Sequence, residues 1–391
     1  MSPFVFDTVL DGENICNLDR ERKTLCEGVA NGKHLVVFGR RNTGKTSVMQ
    51  SIVIPTFRRQ NRKSFVLFAD LLNVRDLSEV CRRLQMAFQT SYSESFPTRA
   101  LFDKMLQAVS NLRPTISVDP LTGSPSLLVT FSGATTSSLS GLFLAVKKIA
   151  KDVPVLIVFD EFQDIHLIEG AEALFRQELQ NLNPKTPVVL LGSKKHLLAN
   201  IFARQEAPLY NWGEDVEFQP LPYGEYTDYI NARLASHRLV IPGDVSKHLQ
   251  DALDRIPEPI NMIGSELIEM RLPGKGTSGS YSITVADIGA AIDFCIKKRV
   301  SRFEEYLGGF SGNEERVLAA LAHEGPVSHP GSKLFVSQTG VSSKGVSLLV
   351  KKMLDDAVLY QGGEGLVLSD PLLKYFLRRY RAAPVVTGAR S

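Results

Sequence analysis

The chain has 391 residues, 43% of them hydrophobic and 22% charged, with 29 Gly and 20 Pro that follow no period. That length exceeds the ~250–300 residues at which single cores stop growing, so two or three domains are expected, and the composition excludes collagen, a coiled coil and wholesale disorder. The formal net charge is +3, but residues 341–391 hold eight Lys/Arg against four acids, a basic C-terminal module that hints at an anionic partner. The longest wholly apolar run, residues 153–159, is far shorter than the ~20 residues that span a bilayer. Residues 1–13 carry no basic start of a secretory signal. Cys16, Cys26, Cys81 and Cys295 are widely spaced and too few for a disulfide framework. A cytoplasmic protein with no membrane role is expected.

In chain order, residues 34–38 (HLVVF) read as a short buried strand. Gly39-Arg40-Arg41-Asn42-Thr43-Gly44-Lys45-Thr46 follows at once and fits G-x-x-x-x-G-K-[ST]. Residues 46–53 suit a helix that Pro55 should end or kink. Strand, loop and helix are the setting this motif requires. Gly39 and Gly44 let the backbone turn so that N–H groups point at phosphate oxygens, and the helix start favours negative charge. Lys45 is placed to neutralise β- and γ-phosphates and the Thr46 hydroxyl to ligate Mg²⁺.

Residues 64–70 read as a second strand. Residues 114–131 read as two strands around a Pro/Gly turn, a hairpin projecting from the core either as decoration or as a partner contact. Residues 132–140 read as a small polar loop. Residues 153–159 form an apolar strand that ends in Asp160-Glu161. Continuous burial suits an interior strand of a parallel sheet, whose chemistry gathers at the carboxyl ends of its strands. Asp160 is assigned to Mg²⁺ through water, and Glu161 to polarising the attacking water. A further strand, residues 188–191, leads into Gly192-Ser193, and Ser193 is the candidate to sense the γ-phosphate or hold the lytic water. Residues 216–221 complete a five-stranded sheet.

Residues 222–296 alternate helical patterns with Pro breaks, including a Gly/Ser-rich stretch at 273–280. After Gly308-Gly309, helices at 314–323 and 342–356 and a hairpin at 357–368 make the winged-helix pattern. The second of these helices carries Lys344, Lys351 and Lys352, suited to phosphate contacts rather than base reading. Winged helices also dock proteins, so double-stranded DNA and a protein partner are both open. No H-E-x-x-H, G-x-S-x-G or N-K-x-D pattern occurs.

This constellation resembles the STAND-type branch of the AAA+ superfamily, in particular its archaeal and bacterial single-chain ATPases. The resemblance rests on Asp19-Arg20-Glu21 and on Gly-x-Arg-x-x-Gly-Lys-Thr-Ser through Ser47. It continues in Asp160-Glu161-Phe162-Gln163-Asp164, Gly192-Ser193-Lys194 and Ser369-Asp370-Pro371-Leu372. It implies a three-layer α/β/α P-loop NTPase core with an AAA+/ASCE-like parallel sheet at residues 1–221, in which the 188–191 strand lies between the phosphate-loop and Asp-Glu strands. It also implies a helical lid at 222–306, a winged helix at 307–383 and a tail at 384–391. It implies ATP or ADP with Mg²⁺ held by Gly39 to Ser47, and an arginine, here Arg204, reaching a neighbour's nucleotide in a homo-oligomer. Where relatives carry Gly-x-Pro in the lid, this chain reads Pro257-Glu258-Pro259, so only Pro259 carries over as a nucleotide contact. The expected activity is a Mg²⁺-dependent ATPase switch. The alternatives are a slow or non-hydrolysing ATP-gated scaffold that binds a protein, and a small-molecule phosphotransferase.

Overall fold

The computed structural model describes residues 3–95, 112–118, 125–131, 135–270 and 280–381, with the backbone alone described at 112–118, 125–131, 135–137 and 195–196. The chain divides into two compact units, one of residues 18–39 and 45–218, the other of residues 1–17, 40–44 and 219–391.

The first unit opens with α1 (Asp19–Ala30) and β1 (His34–Phe38). Next comes a continuous helical stretch: α2 (Lys45–Val48), a π-helical turn at Met49–Val53 and α3 (Ile54–Gln60). Pro55 was expected to stop or kink the helix. The helix does not end there: Pro55 occupies the first turn of α3, where its missing N–H costs least, directly after a π turn that absorbs the change of register. Then follow β2 (Phe65–Asp70), α4 (Leu77–Ser95), β3 (Leu112–Val118), β4 (Pro125–Phe131), α5 (Thr135–Ile149), β5 (Val155–Asp160), α6 (Ala171–Gln180), β6 (Val188–Gly192), α7 (Lys195–Phe202) and β7 (Glu214–Glu217).

Strands β2, β5, β6, β1 and β7 form one five-stranded sheet in that order, and all its pairings are parallel. Every residue of β5 and of β6 is buried, so both faces of the sheet are covered, as a parallel sheet of continuous apolar runs demands. β6 lies between β5 and β1. The register pairs Asp70 with Asp160 and Phe38 with Gly192, which brings the ends of β2, β5, β6 and β1 to one edge. Below it, Phe159 packs its ring 5.5 Å from Phe175 and 6.1 Å from Phe162, edge-on and stacked contacts that lock the end of β5.

Two readings of the sequence shift here, and the hairpin is found. The fifth strand is β7 at Glu214–Glu217, not 216–221, because Pro220 has no N–H to give a ladder. The polar stretch 132–140 is not a loop over its second half: α5 starts at Thr135, with Ser140 donating to Glu178 at 2.6 Å. The hairpin β3–β4 is antiparallel, from Leu112 opposite Phe131 to Val118 opposite Pro125, while its turn at 119–124 lies outside the described residues.

The second unit holds α8 (Tyr223–Leu234), β8 (Leu239–Val240), α9 (Gly243–Ala252), α10 (Pro257–Glu269), β9 (Tyr281–Ser282), α11 (Val285–Lys298) and α12 (Val300–Leu307). Residues 271–279, which include all but the last residue of the Gly/Ser-rich stretch, lie outside the described residues, as does the tail from 382. Within this unit α13 (Gly312–Glu324), α14 (Lys333–Thr339), α15 (Ser343–Asp355), β10 (Leu359–Gln361), β11 (Leu366–Leu368) and α16 (Pro371–Tyr380) follow. β10 and β11 pair antiparallel and Val327 bridges to Leu366, which makes the wing. Val317, Leu318, Leu321, Val346, Val350 and Met353 are buried between the helices. Ser311 and Glu314 form a reciprocal cap on α13, a device that satisfies two helix-end N–H groups.

Candidate functional site

At the carboxyl edge of the sheet in the first unit, β1 leads to Gly39 and α2 starts at Lys45. Lys45 is buried, 6% exposed, and its ammonium donates to the Gly39 carbonyl at 2.9 Å. One residue on, the Thr46 hydroxyl donates to Asp160 Oδ2 at 2.6 Å. Asp160 is itself buried, 6% exposed. Burial pushes its carboxyl up to about 6, with the Thr46 hydroxyl opposing and the neighbouring Glu161 adding to the rise. A buried carboxylate so destabilised is relieved by a cation beside it.

Glu161 follows in left-handed backbone, φ 49°. Its Oε2 accepts from Ser193 Oγ at 2.7 Å and from Gln163 Nε2 at 2.5 Å. Gln163 is fully buried in the 3₁₀ turn Phe162–Leu167. Its Oε1 accepts from the Ser193 N–H at 3.3 Å and its amide nitrogen also reaches Asp164 Oδ1 at 3.2 Å. Asp164, 1% exposed, takes the ammonium of Lys194 at 2.9 Å and the Asn73 N–H at 2.7 Å. A buried amide and a buried ion pair therefore tie the end of β6 to the end of β5. The sequence reading placed Ser193 toward a phosphate; its hydroxyl here engages Glu161. Gln163, Asp164 and Lys194 received no role from sequence, since nothing in a motif announces a partner about thirty positions away.

In the second unit, Asn42 and Gly44 adopt left-handed backbone, φ 61° and 91°. The Thr43 hydroxyl donates to the Arg40 carbonyl at 2.8 Å. Arg40 pairs with Asp254 at 3.2 Å and lies 4.7 Å over the Tyr360 ring. Lys374 meets the other oxygen of Asp254 at 3.1 Å. Arg41, Asn42 and Pro259 line one cavity of about 380 Å³ with Asp7, Glu258 and Arg299. Lys344 and Lys351 are exposed on α15, whereas Lys352 bonds Glu314 at 2.7 Å and so helps hold the cap of α13. In the first unit Arg204 stands exposed in the turn after α7, with Ala207 N–H on its carbonyl.

The donor set suits a nucleotide with Mg²⁺. Among the described residues no group of three or more His, Cys, Asp and Glu side chains could hold a metal ion. Mg²⁺ needs no such cage, because one carboxylate, one hydroxyl, water and phosphate oxygens complete its shell. Thr46 and Asp160, in direct contact, would supply the protein's part.

A family model described as "probable winged helix domain" matches residues 301–379. No curated protein matches the chain. Among solved structures, the Walker-type ATPase paby2304 of Pyrococcus abyssi is similar with a TM-score of 0.61 at 18% identity, over 94% of this chain and 97% of that one. The ORC1 protein of Aeropyrum pernix, in complex with DNA, is similar with a TM-score of 0.51 at 14% identity, over 96% and 94%. At such identities the likeness defines the fold. It is a parallel α/β core of the P-loop ATPase kind, followed by a C-terminal winged helix. Among the described residues no helix is long and apolar enough to cross a membrane.

Proposed function

We propose that the protein is a Mg²⁺-dependent ATPase switch of the STAND type that couples its nucleotide state to the winged helix. The observation that carries this is the Thr46–Asp160 contact at 2.6 Å, with Lys45 one residue before it and Glu161 one residue after. Residues Gly39 to Ser47 would hold the phosphates. Lys45 would neutralise the β- and γ-phosphates, Thr46 and Asp160 would hold Mg²⁺, which would supply charge stabilisation on the phosphate oxygens, and Glu161 would accept a proton from the attacking water. Ser193 exchanges its bond to Glu161 for one to the γ-phosphate or to that water. Pro259 contacts the base, and Arg204 completes a neighbouring subunit's site.

Contacts to a γ-phosphate exist only in the ATP state, so they bias a two-state arrangement by their differential free energy. The basic α15, with Lys344 and Lys351 exposed, fits the phosphates of double-stranded DNA, as the DNA complex of ORC1 also suggests. A second reading, an ATP-gated scaffold that hydrolyses slowly and binds a protein, draws support from the engagement of Glu161 Oε2 by two protein donors, which leaves that oxygen no place for a water. The test is calorimetric titration of MgATP into the wild type and Lys45→Ala: binding is expected in the first and absent in the second. Equal affinity in both would overturn the phosphate assignment.

A further inference from the structure

Both donors on Glu161, Ser193 Oγ and Gln163 Nε2, meet the same carboxylate oxygen, Oε2. Oε1 takes neither, so it is the oxygen placed to accept a proton. The Gln163 amide cannot be turned over. Its oxygen faces the Ser193 N–H while its nitrogen faces the carboxylates of Glu161 and Asp164, and the reverse orientation would set oxygen against both anions. Asp164 is held in turn by the Lys194 ammonium and the Asn73 N–H. The amide is therefore fixed from both sides in a fully buried place.

Its place depends on a missing side chain. Gly192 ends β6, and a Cβ there would overlap Gln163 Oε1 and come within 2.8 Å of Leu198 Cδ1. Gly192 has no need of left-handed backbone; its value is the space it leaves for the amide.

We propose that Gln163 is a positioning residue for the Glu161 base, seated by the space Gly192 leaves, and that its hold on Oε2 keeps Oε1 aimed when the Ser193 hydroxyl has turned to the phosphate or the water. A buried polar group is kept where all its partners are met, because each unmet one costs the full desolvation of that group. Here the partners converge on one catalytic carboxylate. The proposal rests on the reading of Glu161 as base. It adds that the base is set by an amide that touches neither nucleotide nor metal, and that the end of β6 reports to Glu161 through a backbone N–H as well as through the Ser193 hydroxyl.

The test measures MgATP affinity by calorimetry and the single-turnover hydrolysis rate for Gln163→Leu and for Gly192→Ala. The first removes the donors at similar volume. The second keeps every polar group and displaces the amide, so it serves if the first fails to fold. The rate should fall about 10²-fold, the usual result of misplacing a reacting group by ~1 Å, while affinity stays within about twofold of wild type, since no binding contact is touched. Adding Gln163→Leu to Glu161→Gln should slow the reaction no further, because the amide acts only through that carboxylate. Wild-type rates in both single variants, or an additive loss in the double variant, would overturn the proposal. A wild-type rate in Glu161→Gln alone would overturn the base assignment beneath it.

Discussion

Thr46 Oγ1 lies 2.6 Å from Asp160 Oδ2, a hydrogen bond that joins the start of α2 to the end of β5. Hydroxyl and carboxylate form a two-atom face of hard oxygen donors, the kind Mg²⁺ prefers. Asp160→Asn keeps the size and removes the charge, and it also relieves the buried carboxylate that burial pushes up to about 6. The variant should bind ATP in the presence of EDTA as the wild type does and lose the strengthening that Mg²⁺ brings. Calorimetry with and without Mg²⁺ checks this, and an unchanged Mg²⁺ effect would place the ion elsewhere.

Asp254 joins the Arg40 guanidinium at 3.2 Å to the Lys374 ammonium at 3.1 Å. All three side chains are mostly buried, 17–19% exposed. Asp254→Asn tests the charge alone, since Asn tolerates the left-handed φ of 52° at this position as well as Asp does. Two cations would then face a neutral amide. Stability should fall by about 1–3 kcal/mol, read as a lower urea midpoint in the full chain; an unmoved midpoint would mean the pair contributes nothing net.

Acid should act on the winged helix through Glu314. The Lys352 ammonium and the Ser311 hydroxyl and N–H hold its carboxyl down at about 2, below its ordinary value. The unfolded chain thus takes up this proton first, so the contribution is complete at neutral pH and is lost as pH falls from the ordinary carboxylate range to about 2. Thermal midpoints of Glu314→Gln should lie below wild type at neutral pH, and the gap should close toward pH 2. A constant gap would show that the lost contact is not ionic.

Lys344 and Lys351 stand free of the Glu314 contact that occupies Lys352. If α15 meets DNA phosphates, removing either exposed lysine should reduce the log–log salt slope of binding to double-stranded DNA by about 1. Lys352→Ala should change stability more than that slope. Fluorescence anisotropy across a salt series separates the cases, and DNA binding that ignores salt would show that the helix makes no phosphate contacts.

The phosphate loop and the Asp160-Glu161 strand end were legible in the sequence because each is a local pattern: a glycine spacing after an apolar run, and acids after another. The winged helix followed from runs of the same kind, whereas the place of the 188–191 strand between its neighbours came from the family resemblance. The start of α5 was not legible, since Ser and Thr bond their own backbone outside helices as readily as within them. Nor was α14, whose Lys333–Thr339 span is too short to show a period. Gln163, Gly192 and Asp254 escaped for another reason. Their meaning lies in contacts across 30 residues from Gln163 to Ser193 and 214 residues from Arg40 to Asp254, and a glycine that makes room for an amide looks like any strand-ending glycine.

The proposed function turns on Glu161 activating water beside a metal held by Thr46 and Asp160. It is met most directly by steady-state MgATP hydrolysis in wild type and Glu161→Gln at saturating nucleotide. Mg²⁺-dependent turnover is expected in the wild type and a loss of about 10²–10⁴-fold in the variant, the usual worth of a general base, with nucleotide affinity retained. Equal rates in the two proteins, or turnover indifferent to Mg²⁺, would contradict it.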